Sequence, residues 1–309
     1  RSRIMKKTVL ILLPLLFVSF ASARTWTSAT GSTIEAELVS KNSMGVNLRR
    51  ADGSEIFVKF EQLSEADREF VQQGGGETGS GAPELPEDLA ELVAGRGQLL
   101  IHDDFNREDS DDQDDLGGAW ETNSKSRAMG DKQNDLVEGT LVMTISPRAD
   151  HAISTAQVTT ETYGDAVCYV KMKIEEGGQL KLAFNDKNEK AVWAGHINGV
   201  TINETSLLIS DEKSARFDMK YRENKDSDEY REALEAAETT MELDVDADEW
   251  VEVVTHHDGE TLTVYLDGKE VGSHTSPGFA HPTKNHFAFA VPKKAIVDDL
   301  YLWKVKSAE

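Results

Sequence analysis

The chain has 309 residues, a formal net charge of −23 at pH 7 and 39% hydrophobic residues. This length allows two domains, and the hydrophobic share is enough for a core but too small for a membrane protein. The acidic surface argues against nucleic acid as a partner, because its phosphates would be repelled.

The first segment has the three parts of an export signal. Lys6-Lys7 form a basic region, residues 9–20 are apolar, and Ala21-Ser22-Ala23 is a small-residue cleavage site. The apolar run is shorter than the roughly 20 residues that cross a bilayer. We therefore expect residues 1–23 to be a signal peptide, and the mature protein to be periplasmic or extracellular without a membrane span.

Residues 24–73 are typical of a compact unit of short strands that ends in one short helix. Ser64 is a good N-cap for that helix, with Asp67 three residues later. The unit resembles the Sla homology domain, and the resemblance rests on the segments Arg24-Thr-Trp-Thr, Ile34-Glu-Ala-Glu-Leu-Val, Val46-Asn-Leu-Arg-Arg-Ala-Asp-Gly and Val58-Lys-Phe-Glu-Gln-Leu-Ser-Glu-Ala-Asp-Arg. It implies a small SH3-like barrel with a shallow peptide-binding face. Trp26 and Phe57 are the candidates for that face; the alternative is that both are core aromatics, which supply much of a small core.

Residues 74–97 interrupt the pattern of strands. The run Gly74-Gly-Gly-Glu-Thr-Gly-Ser-Gly-Ala-Pro is typical of a flexible linker. Pro86 and the acidic residues after it predict a short acidic helix that ends at Gly95. Such a tether predicts two domains without a fixed relative orientation.

Residues 98–309 contain many short runs in which apolar and polar residues alternate, which predicts strands with one buried face. Asp258-Gly259 and Asp267-Gly268 each separate two such runs, and both predict type I′ hairpins. Residues 226–238 are rich in helix formers and predict a helical insertion. Cys168, the single cysteine, lies on an apolar strand face and is expected to be a core residue. The overall prediction is mainly β: an SH3-like barrel followed by a two-sheet jelly roll.

This second domain resembles the concanavalin A-like, laminin-G-like superfamily. The resemblance rests on Asp104-Phe105, a central Trp-x-Gly-His stretch and the segments Trp250-Val-Glu-Val, Tyr265-Leu-Asp-Gly-Lys-Glu-Val-Gly-Ser, Gly278-Phe-Ala-His-Pro-Thr-Lys and Val297-Asp-Asp-Leu-Tyr-Leu-Trp. Within the superfamily, the bacterial three-keto-disaccharide-hydrolase-like domains are the most similar. These motifs encode turns and core, so they bear on fold more than on function.

A sugar site needs an aromatic plate and a few polar groups, and Trp193 and His196 are the candidates. Three residues apart on a strand, they project to opposite faces unless a bulge at Gly195 realigns them; ordinary packing is the alternative. Glu242, Asp244 and Asp246 have the alternation of a catalytic carboxylate row on one strand face, but a solvent-facing row is the other interpretation.

Metal chemistry has a weaker basis in the sequence. His256 and His257 are neighbours in a strand and point to opposite faces, so they cannot share one metal. Asp298 and Asp299 could hold a structural calcium with Asp103 or Asp104, as in some laminin-G-like domains. No catalytic residue or cofactor is assigned.

The sequence thus favours an exported two-domain binding protein. Its jelly roll is expected to recognise carbohydrate or a cell-surface partner, and its N-terminal module a short peptide. The alternative is a glycoside-acting enzyme of the three-keto-disaccharide hydrolase type.

Overall fold

The structure is a computed structural model, and it describes residues 23–41, 45–51, 54–72, 83–107, 109, 116–117 and 119–306. The predicted signal peptide up to residue 22, the residues Asp52-Gly53 and the glycine-rich tether lie outside the described residues.

The N-terminal module is an antiparallel meander of strands followed by a helix. Its elements are β1 (Arg24–Thr27), β2 (Thr33–Lys41), β3 (Gly45–Arg50), β4 (Glu55–Lys59), a 3₁₀ turn (Phe60–Gln62) and α1 (Glu65–Gln72). The strands pair in chain order, and an isolated bridge between Ser28 and Leu63 links the first strand to the segment after the last. The core between them is Trp26, Ala36, Val46, Leu48, Leu63 and Val71.

Asp67 links helix α1 to the first strand in the interior of this module. Its buried carboxylate accepts hydrogen bonds from the Arg24 side chain (2.6 Å), the Thr27 backbone N–H (2.6 Å) and the Ser64 hydroxyl (3.0 Å). The Ser64 Oγ in turn accepts from the backbone N–H of Asp67 at 3.2 Å. The predicted N-cap at Ser64 is therefore confirmed, and the same contacts join the helix to β1.

The second region is a sandwich of two antiparallel sheets. Its elements are α2 (Glu87–Arg96), β5 (Gly97–Asp103), β6 (Trp120–Thr122), α3 (Ser124–Arg127), β7 (Asn134–Val137), β8 (Thr140–Thr144), β9 (Ser154–Tyr163), β10 (Ala166–Ile174), β11 (Gln179–Asn185), β12 (His196–Asn203), β13 (Ser206–Ser210), α4 (Asp228–Ala237), β14 (Glu238–Glu242), β15 (Val251–Asp258), β16 (Thr261–Leu266), β17 (Lys269–Thr275), β18 (Lys284–Val291) and β19 (Lys294–Val305). The predicted helical insertion is α4, with Ser227 as its N-cap. The mainly β jelly roll is confirmed.

We call the two layers the front sheet and the back sheet. In the described residues the front sheet has the strand order β14-β13-β12-β11-β18-β9-β6. The back sheet runs β17-β16-β15-β10-β19, and β19 then pairs with both β5 and the β7–β8 hairpin. The side chains between the sheets form one large apolar core, which includes Cys168, Phe184, Phe287 and Phe289. The Cys168 thiol is fully buried, and burial raises its pKa, as expected of a core cysteine.

The outer face of the back sheet is covered by α2. Leu89 of the helix is 1% exposed and packs, with Leu85, Leu92 and Val93, against Val167, Tyr169, Val254, Tyr301, Trp303 and Val305. The helix continues through Gly95, which was predicted to end it, to Arg96 and leads directly into β5. Residues Ser40 and Lys41 of β2 also pair with Asp103 and His102 of β5, so the back sheet continues into the N-terminal module.

The turns between strands agree only in part with the sequence prediction. Residues 136–145 contain two strands, β7 and β8, because Glu138 and Gly139 both have positive φ (51° and 80°) and form a tight turn between them. Asp267-Gly268 is the predicted type I′ turn, with φ of 46° and 74°. At Asp258-Gly259 the loop is shifted by one residue: Asp258 pairs with Thr261, and only Gly259 has positive φ.

Candidate ligand-binding face

The outer face of the front sheet has a floor of small residues between polar ones. Ala288, Ala183 and Gly199 lie opposite one another on three adjacent strands, at its centre. The same row continues to Gln157 and Glu121 on one side and to Ser210 and Glu238 on the other. Small side chains at the centre leave room above the sheet, and polar groups border that room.

Gly199 allows Lys181 to lie across this floor. A Cβ at position 199 would come within 2.7 Å of the Lys181 Cε, so the lysine stem occupies the space that a side chain would take. Its Nζ donates to Glu212 Oε1 at 2.5 Å. The Glu212 side chain is 4% exposed, so this ion pair is largely shielded from solvent.

A bulge turns His196 outward. Asn198 lies opposite Phe184 and faces the interior, but His196 lies opposite Asn185, so Ile197 has no partner in the register. One extra residue reverses the alternation of a strand. Without it His196 would face the core; with it the imidazole shares the outer face with Lys181. The bulge proposed as the condition for a joint site is present, although it lies at Ile197 rather than Gly195.

Trp193 stands on a 3₁₀ turn before β12, not on the strand itself. Ala194 and Gly195 have φ of 52° and 74°, and a Cβ at Gly195 would come within 2.2 Å of the Asp186 carbonyl oxygen. The Trp193 backbone N–H donates to Phe217 O at 2.8 Å. This turn leaves the indole 47% exposed, with the Arg222 guanidinium carbon 3.6 Å from the ring centroid.

His196 and Trp193 flank the same residue, Phe217. The His196 ring stacks on the Phe217 ring with 4.4 Å between centroids, and Trp193 is bonded to its backbone. His196 Nδ1 lies 3.9 Å from Glu212 Oε2, and neither buried atom has a hydrogen-bond partner. Burial lowers the pKa of His196, against the opposing effect of Glu212. A polar group that entered between these two atoms would satisfy both.

A buried polar cluster, which we call the clasp, holds the loop that leads to Trp193. Asp186 accepts from His281 Nε2 (2.9 Å), Thr283 Oγ1 (2.7 Å), Asn285 Nδ2 (2.9 Å) and the Asn188 N–H (2.8 Å). Burial would by itself raise the pKa of Asp186, but the hydrogen bonds from His281 and Thr283 outweigh it and lower the pKa.

Lys213 completes the clasp and fixes the His281 tautomer. Its Nζ lies 2.9 Å from His281 Nδ1 and 3.4 Å from Glu189. An ammonium can only donate, so Nδ1 accepts and the ring proton sits on Nε2, directed at Asp186. The clasp thus joins the loop after β11, the segment after β13 and the segment before β18.

Two carboxylates of this face, Glu212 and Glu238, are engaged by cations. Arg216 donates to both oxygens of Glu238 at 2.7 Å, and this pairing, with the Ser210 hydroxyl, lowers the Glu238 pKa although burial opposes it. In the described part of the chain the carboxyl groups with raised pKa are Asp104, Asp298 and Asp299, which belong to the back-sheet side.

The acidic row after β14 does not form a strand face. The strand ends at Glu242, and Asp244 and Asp246 lie in the loop beyond it, because the backbone N–H groups of Leu243 and Val245 bond to the β12–β13 hairpin instead. The row lines a groove of about 690 Å³ at the edge of the sandwich. Trp250, 38% exposed, borders the groove, and Lys171 and Lys173 lie 5.1 and 5.3 Å from the centre of its ring.

The two peptide candidates of the N-terminal module differ in exposure. Trp26 is 1% exposed, and its Nε1 donates to Ala36 O at 3.0 Å, so it is a core residue. Phe57 is half-buried. Both border a groove of about 300 Å³.

The calcium prediction does not fit the geometry. Asp103 is already engaged: Arg107 (2.6 Å), Trp120 Nε1 (2.7 Å) and the Phe105 N–H (2.8 Å) all donate to its carboxylate. Asp298 lies 3.6 Å from Lys171. Within the described ranges, no group of three or more His, Cys, Asp or Glu side chains is arranged to hold a metal ion. His256 and His257 point to opposite faces as expected, and the buried His257 pairs with Asn198 at 2.9 Å.

Sequence reasoning missed Lys181, Glu212, Phe217 and Arg222. Glu212 and Phe217 lie in a segment without strand periodicity, and they reach His196 only through the fold. The one available signal was the density of basic residues after Ser210, which stands out in so acidic a chain.

The comparisons with known proteins agree with this architecture. Residues 188–305 match the family model of the concanavalin A-like lectin/glucanases superfamily, and residues 18–78 match SLA1 homology domain 1. No curated protein sequence matches the chain. In the part of the chain that the structure describes, we find no helix with the length and apolar character needed to cross a membrane.

Three solved structures illustrate how distant the relatives are. A sialidase is 10% identical over 57% of this chain, with a TM-score of 0.38, and the chain spans only 16% of its length. The GlcNAcα1-4Gal-releasing endo-β-galactosidase from Clostridium perfringens is 11% identical (72% of this chain, 65% of the enzyme, TM-score 0.48). The endo-β-1,3-glucanase from Pyrococcus furiosus is 13% identical (74% of this chain, 100% of the enzyme, TM-score 0.46). Residues 18–78 are thus similar to SLA1 homology domain 1, and residues 188–305 are similar to the concanavalin A-like lectin/glucanases superfamily.

Proposed function

We propose that the jelly roll binds carbohydrate on the outer face of the front sheet, at Trp193 and His196. The observation that carries the proposal is the exposed indole of Trp193, held on a turn with positive φ beside an open polar face. A pyranose ring presents an apolar face that stacks on an indole, and its hydroxyls need fixed polar partners. His196 and Lys181 supply polar groups on the same face, and the buried Glu212 holds Lys181 in place.

Binding, rather than hydrolysis, accounts best for the charges of this face. Glu212 is paired with Lys181 and Glu238 with Arg216, and the pairing with Arg216 lowers the pKa of Glu238. A retaining or inverting glycosidase needs one carboxylic acid that stays protonated to donate to the leaving group. Carboxylates held in ion pairs suit a recognition site better than that role.

The test is a titration of the full protein with oligosaccharides of glucose, galactose and galacturonate, by calorimetry. Trp193→Ala is expected to lower the affinity of the bound sugar at least tenfold, because it removes the stacking surface. Trp250→Ala is the matched control, since Trp250 is also exposed but borders the other groove. Equal affinity in all three proteins, no binding of any sugar, or release of reducing sugar would contradict the proposal.

Export to the periplasm or beyond completes the proposed role, and it rests on the N-terminal residues alone. Sequencing the secreted protein should give Arg24 as the first residue. A mature protein that begins at Met5 would refute cleavage.

A further inference from the structure

The exposed platform at Trp193 carries a cation with no carboxylate partner. The Arg222 guanidinium carbon lies over the indole, 3.6 Å from the ring centroid, and no carboxylate oxygen of the described residues lies within ion-pair distance of the guanidinium. An arginine stacked in this way has its plane fixed and its N–H donors directed outward at the edge of the ring. That fork matches the two oxygens of a carboxylate.

The part of the sequence that carries this platform is less acidic than the rest of the chain. Between Lys181 and Lys225 there are eight Lys and Arg residues against seven Asp and Glu residues, whereas the whole chain has a net charge of −23. Three of those acids are buried and bonded within the protein: Asp186 in the clasp, Asp211 to Ser276 and the Gly278 N–H, and Glu212 to Lys181. Because Glu212 is paired with Lys181 and Glu189 lies 3.4 Å from Lys213, the segment has only a small excess of positive charge.

The direction of several basic side chains strengthens this contrast. Lys187 reaches over the floor, where its Nζ donates to Gln157 at 3.3 Å. Lys190 donates to a backbone carbonyl, that of Lys187, at 3.2 Å. Neither contact neutralises its charge, so the positive potential of this face is available to a ligand.

We propose that the sugar bound at Trp193 is a uronic acid-containing glycan, whose carboxylate is held by Arg222. This inference rests on the proposed carbohydrate function of the same face. The sugar ring stacks on the free part of the indole, and the carboxylate on C5 lies in the plane of the guanidinium beside it. A neutral sugar stacks on the same indole ring but leaves the N–H donors of the Arg222 guanidinium without a carboxylate partner.

The experiment compares two matched ligands: an oligogalacturonate and the oligogalactan obtained by reducing its carboxyl groups. The full protein is expected to bind the galacturonate at least tenfold more tightly, and that preference should weaken as salt concentration rises. Arg222→Gln should abolish the preference and leave the affinity for the reduced ligand unchanged. Arg222→Lys should retain only part of it, since the charge stays but the fork is lost.

Arg127→Gln is the control for the loss of one positive charge, because Arg127 is exposed on α3 outside this face. The wild-type protein could bind both ligands with equal affinity, and Trp193→Ala could lose the binding of both. That result would overturn the uronate assignment and support the carbohydrate function. A preference that persists in Arg222→Gln would also overturn it. If the protein binds neither of these two ligands and no neutral sugar, both proposals are overturned together.

Discussion

Single residues decide which side chains reach the front face. Alternation alone places Trp193 and His196 on opposite sides of a strand, and the unpaired Ile197 reverses that outcome for His196. The sequence could name the two candidates and the bulge as the condition, because tryptophan and histidine near Gly195 are visible in it. It could not place Glu212 or Phe217 beside them, since those contacts join segments that are distant in the chain.

Asp104 is the residue whose ionisation should be most visible in stability. Burial, with the charge of Asp103 adding to it, raises the pKa of Asp104 to about 7. Because the folded pKa lies above the unfolded value of about 4, the stability contribution is complete below pH 4 and is lost as pH rises through about 7. Asp104→Asn keeps the acceptor for the Asn106 N–H and cannot ionise.

We expect Asp104→Asn to raise the free energy of unfolding by about 2 kcal/mol at pH 8 and to change it little at pH 4. Urea denaturation at both pH values measures the difference. Asp150→Asn, at an exposed loop position, should change neither value. A stabilisation of equal size at both pH values would show that the cause is packing rather than charge.

At the scale of elements, the strands, hairpins and α4 were predictable because they depend on local patterns. Asp267-Gly268 gives a type I′ turn from its two residues alone, and Ser227 and Ser64 cap their helices. The shift at Asp258-Gly259 was not predictable, since the register of the flanking strands decides which residues form the loop. The docking of α2 on the back sheet was not predictable either, because its apolar side is short.

The clasp is the element-scale feature that links stability to the site. His281 lies between Asp186 and Lys213. His281→Ala therefore removes a hydrogen-bond donor to the Asp186 carboxylate and an acceptor for the Lys213 ammonium. Removing one member of a buried charged cluster typically costs 3–5 kcal/mol. We therefore expect a loss of about 3 kcal/mol in the free energy of unfolding.

Chemical denaturation at neutral pH checks this value, with the exposed His151→Ala as the control. That control should change stability by about 0.5 kcal/mol or less. If His281→Ala has the same denaturation midpoint as the wild type, the clasp does not stabilise the fold. Because the pKa of Asp186 is lowered, its stabilising effect depends on pH. Its contribution to the free energy of unfolding is present above about pH 4 and is lost as pH falls through its folded pKa.

At the scale of the whole molecule, the two modules are joined by more than a tether. The pairing of β2 with β5 and a hydrogen bond from Arg49 to Asn106 O connect the N-terminal module to the sandwich. The sequence predicted both folds and the glycine-rich break between them. It could not predict strand pairing across that break, because such pairing has no local pattern.

The charge of the molecule is also uneven at this scale. The segment from Lys181 to Lys225, which includes the exposed Trp193, has eight basic and seven acidic residues in an otherwise acidic chain. Charge contrast of this kind attracts an anionic ligand to one region of the surface.

The most direct test of the account uses the five tryptophans as reporters, at positions 26, 120, 193, 250 and 303. Fluorotryptophan incorporated into the full protein gives one ¹⁹F resonance for each, assigned by single substitutions, and oligogalacturonate is then added. The account predicts that the Trp193 resonance shifts with saturation while those of Trp26 and Trp250 stay in place. A saturable shift of Trp250 or Trp26 with Trp193 unchanged would place the ligand elsewhere and contradict it.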